Sequence, residues 1–375
     1  MTPRRLAILF IAAVVVVGLA MWLASQRHLE RATLSGDLVL PDLQHQVNTV
    51  TEVSLRKGDG THTTLKHDAS AWSVAERGWP ADTTKVRRLL LDLGALNVVE
   101  EKTRLPANYP QLGVEDVNSP KASGTRVDLT GAGKSWALIV GKSSGAKSGY
   151  VRVASAAQTL LAAPLLTVDA DPKSWLDRTL LDIPAERVRE VQEHPADGPA
   201  YSLAKDKKEQ SNYSVTPLPK GRELSAPGAA DPIATALAGL SLDDVAKGHA
   251  ADAPADDGKS ATGQAAEAKH ARAQFATYDG LELEVSGLKD GTRALISVSA
   301  RATAKDAESQ AQQLAARLAG WEFEIPEYKY NAMFRPLEEL LKKPPEPAPK
   351  PAKPPAKAAA APKAPAAEPA PPPAH

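Results

Sequence analysis

The chain has 375 residues and no cysteine, which excludes disulfides and a lipid-attachment cysteine. It carries no net charge either, since 45 Lys and Arg stand against 45 Asp and Glu. Nothing in that balance points to nucleic acid, whose electrostatic footprint is a basic patch or a high pI. Aromatic residues make up only 5%, so a core has to be assembled from Leu, Val, Ile and Ala. The hydrophobic share of 43% is ordinary for a folded domain. Long apolar runs are missing everywhere except at one place.

That place is the start, where an unbroken apolar run over residues 6–24 follows Arg4 and Arg5. About 18 residues at 1.5 Å each give a helix on the order of 27–30 Å, enough to cross a bilayer core. Leu6, Phe10, Val14 and Val17 lie along it, and Trp22 stands near its end as an interfacial anchor. The expectation is an anchor over 1–25 and a juxtamembrane linker over 26–48. Arg27 and Arg31 after the run nearly balance Arg4 and Arg5 before it, so the positive-inside rule decides orientation only weakly. The short arginine-bearing tail favours a cytoplasmic N-terminus, with the bulk of the chain on the periplasmic side of the inner membrane. A cleaved signal peptide competes: Gly18-Leu19-Ala20 offers a small-x-small site. The run is longer than the usual ~7–15-residue hydrophobic region of such peptides.

At the other end, residues 343–375 are almost entirely Pro, Ala and Lys. Apart from proline, no side chain there is both apolar and larger than Ala, so no core can offset chain entropy and a disordered tail is expected. Polyproline II at ~3.1 Å per residue would let it reach on the order of 100 Å. A solubilising tail and an envelope tether are both open.

Between these ends the chain repeats itself. Val50-Thr51-Glu52-Val53 matches Val188-Arg189-Glu190-Val191, each followed by a second strand at Leu65 or Leu203 and then by Trp72-Ser73-Val74 or Tyr213-Ser214-Val215. A helix follows in both. The first is capped by Asp82 or Thr83, with Val86, Leu89, Leu90, Leu93 and Leu96 at helical spacing. The second is capped by Asp231 before Pro232, with Ile233, Leu237 and Leu240 on one face. A hairpin over 125–140 is matched to one over 281–298, and the strand 150–153 to 321–325. Each half is expected to close on a helix ending in paired leucines, Leu180-Leu181 and Leu340-Leu341. The prediction is an α+β protein of two tandem similar lobes, 49–186 and 187–342, each an antiparallel sheet backed by helices. Insertions distinguish the copies: 105–117 in the first, a loop-like 247–271 in the second, and a surface helix over 304–319.

Several motifs resemble catalytic or ligand sites and fail on context. Gly133-Lys134-Ser135 and Gly141-Lys142-Ser143 lack the earlier glycine of a phosphate loop, where Asp128 and Trp136 stand, and the first of them leads into a strand. Ser-x-x-Lys occurs at Ser54, Ser144 and Ser202 without its companion motifs. His62 and His67 fall on opposite faces of a strand, and Asp171 before Pro172 reads as a helix cap. No cofactor, metal, nucleotide or small-molecule substrate is expected, and no enzymatic activity. Trp175-Leu176-Asp177-Arg178 is the most singular cluster of the folded part. It reads either as a recognition patch or as a Trp packed between lobes with its polar neighbours bonded locally.

Trp72-Ser73-Val74, Tyr109-Pro110-x-Leu112-Gly113-Val114, Gly141, Gly149-Tyr150-Val151-Arg152 and Asp177-Arg178 together resemble the bacterial domain-of-unknown-function family 4340. The likeness covers about residues 50–342, and the Tyr-Pro-x-Leu-Gly-Val stretch is its most specific part. Members tend to be encoded beside ABC-2-type permeases and an auxiliary subunit like that of gliding-motility transporters. The resemblance therefore implies a non-enzymatic accessory subunit of an ABC exporter, with permease and auxiliary subunit as partners. Tyr109, Arg152, Trp175, Asp177 and Arg178 are the expected partner-facing residues. The rival reading, independent of the family, is an envelope-spanning tether whose basic tail contacts the cell wall or outer membrane. Topology is directly testable: a reporter active only outside the cytoplasm, fused at Lys343, is expected to work on an uncleaved chain. Activity of a cytoplasm-only reporter, or a mature chain starting near Met21, would refute the assignment.

Overall fold

The computed structural model describes residues 36–68, 71–118, 120–248 and 270–343. The expected membrane anchor with Leu6, Phe10, Val14, Val17 and Trp22, nearly all of the proline-rich tail and most of the 247–271 insertion lie outside the described residues. Among the described residues no helix is long and apolar enough to cross a membrane.

Among the described residues nineteen strands form in chain order: β1 (Val50–Lys57), β2 (His62–His67), β3 (Trp72–Val74), β4 (Trp79–Pro80), β5 (Asn97–Glu101), β6 (Thr125–Gly131), β7 (Lys134–Ser143), β8 (Gly149–Val153), β9 (Thr159–Ala163), β10 (Thr179–Leu181), β11 (Val188–His194), β12 (Tyr201–Ala204), β13 (Ser214–Thr216), β14 (Leu240–Ser241), β15 (Asp244–Lys247), β16 (His270–Thr277), β17 (Leu281–Asp290), β18 (Arg293–Ala302) and β19 (Trp321–Glu324). The first sheet has nine strands in the order β4-β3-β2-β1-β6-β7-β8-β9-β5, and the second has eight in the order β13-β12-β11-β16-β17-β18-β19-β15. Within each sheet every pairing is antiparallel. Together with several helices this is an α+β architecture.

The two orders superimpose strand for strand from β3/β13 to β5/β15. Even an irregularity recurs: β1 shifts register between Val50 and Glu52 against β6, and β11 does so between Val188 and Glu190 against β16. A shared bulge at the same step is a built feature of a duplicated unit.

The sheet order corrects the sequence-based matching of the hairpins. Because β6 bonds to β1 and β16 bonds to β11, the β6–β7 hairpin corresponds to β16–β17, not to β17–β18. The strand over 150–153 then corresponds to β18, and β19 to β9. β16 carries no strong sequence signal because two of its inward residues are Ala271 and Ala273, too small for alternation to stand out. The helix Glu308–Leu318 is the extra element between β18 and β19, with Ala311 and Leu318 buried.

Two further expectations change. Leu180 and Leu181 end no helix; they lie in β10, buried and paired with β14 in a separate two-stranded sheet. The helix at Asp231 is a single turn, Asp231–Ala234. Its capping carboxylate accepts instead from the Tyr213 backbone N–H at 3.0 Å, which leaves the helix N-terminus without its side-chain cap. The first helix, Thr83–Gly94, forms as the spacing predicts, with the Asp82 carboxylate accepting from Lys85 N–H.

One apolar core runs through both halves. At the junction the Trp79 ring meets Trp321 edge-on at 5.4 Å and Phe323 at 5.2 Å, and its indole N–H donates to the Asp177 carbonyl at 3.0 Å. Trp79 is 1% exposed. Replacing it with Ala leaves a cavity at the junction and an unpaired carbonyl, so Trp79→Ala is expected to lower unfolding free energy by about 3–5 kcal/mol. Leu91→Ala, at a site 56% exposed, is the control, with an effect of about 0.5 kcal/mol or less. Denaturant unfolding of the two variants checks the contrast, and equal effects would refute the buried-junction assignment.

Candidate functional site

The residues expected to face partners are gathered by the fold into two places. The first is the insertion over 105–117 of the first half. Its single helical turn Tyr109–Leu112 ends at Gly113, whose φ of 72° lets the chain reverse at once. The following Val114 is fully buried beside Tyr109 and Ile139. Gly141 lies under this turn, where a Cβ would come within 2.4 Å of the Leu112 carbonyl. Arg152, only 4% exposed, clamps the insertion to the sheet. Its Nε donates to the Val114 carbonyl at 2.9 Å and its Nη2 to Asp116 at 2.7 Å. Its Nη1 donates to the Ala154 and Ala156 carbonyls, and the guanidinium lies 4.8 Å from the centre of the Tyr109 ring. The Tyr109 hydroxyl in turn donates to the Ala157 carbonyl at 2.6 Å. Each donor of this pair goes to a nearby acceptor, so the Tyr-Pro-x-Leu-Gly-Val stretch and Arg152 act as one clamp rather than as an open surface.

The second place is the strap between the halves. Trp175 is buried, its indole donating to the Asp169 carbonyl at 2.6 Å while Lys85 Nζ sits 4.8 Å over its ring. Leu176 pairs with Ala81 of the first half, and the next residues cross to the second. Arg178 Nε donates to the Leu242 carbonyl at 2.9 Å, its guanidinium contacts Asp243, and its own carbonyl accepts from Leu242 N–H. Asp177 accepts from Thr179 N–H at 3.1 Å and faces Arg317 at 3.5 Å. Of the two readings open to Trp175-Leu176-Asp177-Arg178, packing between the halves is the one the geometry fits.

A charged seam flanks this strap, and sequence reasoning missed it because its members lie far apart in the chain. Arg77 of the first half donates to Asp244 of the second through two nitrogens, at 2.7 and 3.1 Å. Lys173 reaches Asp244 at 3.2 Å, and Arg293 reaches Glu324 at 2.8 Å. Burial pushes the Asp244 carboxyl up, but the bonds from Arg77, Val245 N–H and Lys173 outweigh it and hold the group below its usual range.

Two features stand outside both clusters. Glu193 is fully buried, and neither carboxyl oxygen has a hydrogen-bond partner among the described residues. On the outer face of the second sheet a groove of about 650 Å³ is lined by His194, Arg272, Ser286, Ser297, Glu322 and the Leu288–Leu295 pair. Sequence reasoning missed it because Arg272 lies on the unseen β16 and the other lining residues come from separate strands that only the sheet brings together. Among the described residues no group of three or more His, Asp or Glu is placed to hold a metal ion.

A family model described as Domain of unknown function (DUF4340) matches residues 72–266. The chain belongs to that family. The DUF4340 match takes in both the Tyr109–Arg152 clamp and the Trp175–Arg178 strap, and it ends beyond β15, in the second half. The DUF4340 unit thus crosses the junction rather than coinciding with one copy of the repeat. Comparison with curated proteins and with solved structures found no match.

Glu193 yields a pH prediction with a defined sign. Burial raises its folded pKa well above the usual carboxylate value of 4.5. The folded state therefore holds the proton longer than the unfolded chain. The associated stability is fully present below about pH 4.5 and is lost as pH rises toward the folded pKa, at up to ~1.4 kcal/mol per pH unit. Glu193→Gln cannot titrate, so its stability relative to wild type is expected to increase between pH 5 and pH 8. Urea titrations across that range measure this, and a difference constant with pH would refute it.

Proposed function

We propose that this protein is a non-enzymatic accessory subunit of an ABC-type exporter. In this reading residues 1–25 anchor it in the inner membrane, and the two lobes, 49–186 and 187–342, stand on the periplasmic side. It works by protein–protein contact with an ABC-2-type permease and an auxiliary subunit. The observation that carries the proposal is how the family's residues are used. Tyr109 and Arg152 brace the insertion on the first half, and Trp175, Asp177 and Arg178 join the two halves, so the chain reads as a stiff body built to present surfaces. Family membership and the apolar run over 6–24 support the same reading.

A rival role as an envelope tether draws on the composition of residues 343–375. The two differ in what the tail is needed for. Purification of the full chain in mild detergent is expected to bring down the permease and the auxiliary subunit, and deletion of 343–375 is expected to leave that recovery unchanged. A clean purification without either subunit would overturn the exporter proposal, and loss of function on tail deletion would favour the tether.

A further inference from the structure

The duplicated sheets place a matched pair of residues on the inner face of each half. Counted from the register shift that β1 and β11 share, Leu55 corresponds to Glu193, and their cross-strand partners Thr63 and Tyr201 correspond too. All four side chains are buried. The two partners use their hydroxyls alike. Thr63 donates to the Ala170 carbonyl at 2.7 Å, and Tyr201 donates to the Arg335 carbonyl at 2.5 Å. Ala170 and Arg335 lie in the segments by which the chain leaves each half. The first segment continues through Trp175 as the strap, and the second, residues 334–342, ends the second half.

What lies beside that bond differs between the halves. In the first it is a leucine; in the second it is a carboxyl group with neither oxygen partnered among the described residues. The leucine shows that the shared fold does not require a carboxyl there. From β12 the titratable neighbour of Glu193 is Tyr201, whose hydroxyl is pushed up by burial and by Glu193, so it remains a donor. From the exit segment come Arg335 and Glu339, 4.0 Å apart. Arg335 Nε also lacks a hydrogen-bond partner among the described residues. β16 places only Ala273 opposite Glu193. The Asp231–Ala234 turn, packed on β11, buries Ile233 and Ala234, and its Asp231 carboxylate is taken by Tyr213 N–H.

An ionised Glu193 has to reach water or a cation, because an unpaired buried charge is costly. β11 is bonded on both sides, to β12 and β16, so the sheet cannot part there without losing two ladders. The exit segment is held by less. Its helix Leu337–Leu340 is a single turn, too short to persist alone. Besides the Tyr201 bond, Ser225 N–H donates to the Leu340 carbonyl at 2.8 Å and Lys342 N–H to the Glu223 carbonyl at 2.9 Å. Arg222 reaches Glu338 at 3.1 Å, and Leu337, Leu340 and Leu341 are buried. Local opening draws on the least-bonded parts of a fold. We propose that residues 334–342 form a proton-sensitive latch, closed over Glu193 while that carboxyl is neutral and released when it ionises. Release moves the point where the chain leaves the second half back by nine residues, which adds on the order of 30 Å to its reach. The latch does not depend on the exporter reading.

Amide hydrogen exchange of the full-length protein in mild detergent, read by mass spectrometry between pH 6 and pH 9, tests the latch. After division by the intrinsic exchange rate, the opening constant of amides in 334–342 is expected to rise by up to about tenfold per pH unit. Amides of β11 and β16 are expected to keep a constant one. In Glu193→Gln the rise is expected to vanish, and likewise in Glu193→Leu, which installs the residue of the first half. Tyr201→Phe is expected to increase opening at every pH and to retain the slope. A flat wild-type profile, a rise shared equally by β11 and β16, or a rise that survives in Glu193→Gln would overturn the proposal. Loss of the slope in Tyr201→Phe would overturn it too, because the titration would then belong to the tyrosine.

Discussion

The edge-on contact of Trp79 with Trp321 and Phe323 is the interaction on which the rest of the molecule depends. Each half is an open sheet, and an open sheet has edges whose unpaired backbone groups need cover. Trp79 lies on the last strand of the first sheet, and the rings it meets belong to the penultimate strand of the second. Burying those rings brings one edge of each sheet together, and Arg77 and Asp244 then pair at short distance. The strap over Trp175 to Leu181 follows the same line, bonded first to Ala81 and then to β14. Apolar packing supplies most of the cohesion of such a junction. The buried polar groups set its register, because each is costly unless its partner is in place.

Duplication gave two sheets of one order, and the two have diverged mainly outside their cores. The inner faces remain mainly apolar in both, with the buried Thr63 and Thr277 hydroxyls hydrogen-bonded to backbone carbonyls. On the outer face the first copy uses Arg152 to hold its own insertion, whereas the second has Ser297 at that position and an open groove. The same backbone therefore serves an internal purpose in one lobe and is left exposed in the other. Glu193 is the exception on the inner side, a carboxyl turned into the core with no partner among the described residues. Its cost is offset by protonation, which ties the stability of the second lobe to pH.

Much of the fold was legible because its signals are local. Leu65 and Leu203, the Asp82 cap and the leucines of Thr83–Gly94 all report on neighbours within one or two turns of chain. The Asp171 cap, accepting from Lys173 N–H at 3.0 Å, is of the same kind. Errors arose where local signals were weak or had a second use. Alanines hid β16, and that omission shifted the matching of every later strand. Asp231 had the right sequence for a cap, but a backbone N–H eighteen residues earlier took its carboxylate. Paired leucines at 180–181 looked like a helix end, yet a residue pair buried on both sides fits a short strand equally well.

By itself the sequence determined that the chain holds two related α+β units, that one apolar run precedes them, and that its two Gly-Lys-Ser stretches lack the earlier glycine of a phosphate loop. Those conclusions follow from spacing, composition and chain order, which need no knowledge of distant contacts. Only the tertiary structure decided that Tyr109 and Arg152 form one clamp, that Trp175, Asp177 and Arg178 join the halves, and that His194, Arg272, Ser286 and Ser297 share a groove. These residues come together through pairings between strands many residues apart. No local periodicity encodes which strand will lie beside which, because that choice is made by burial of the whole sheet against its neighbour.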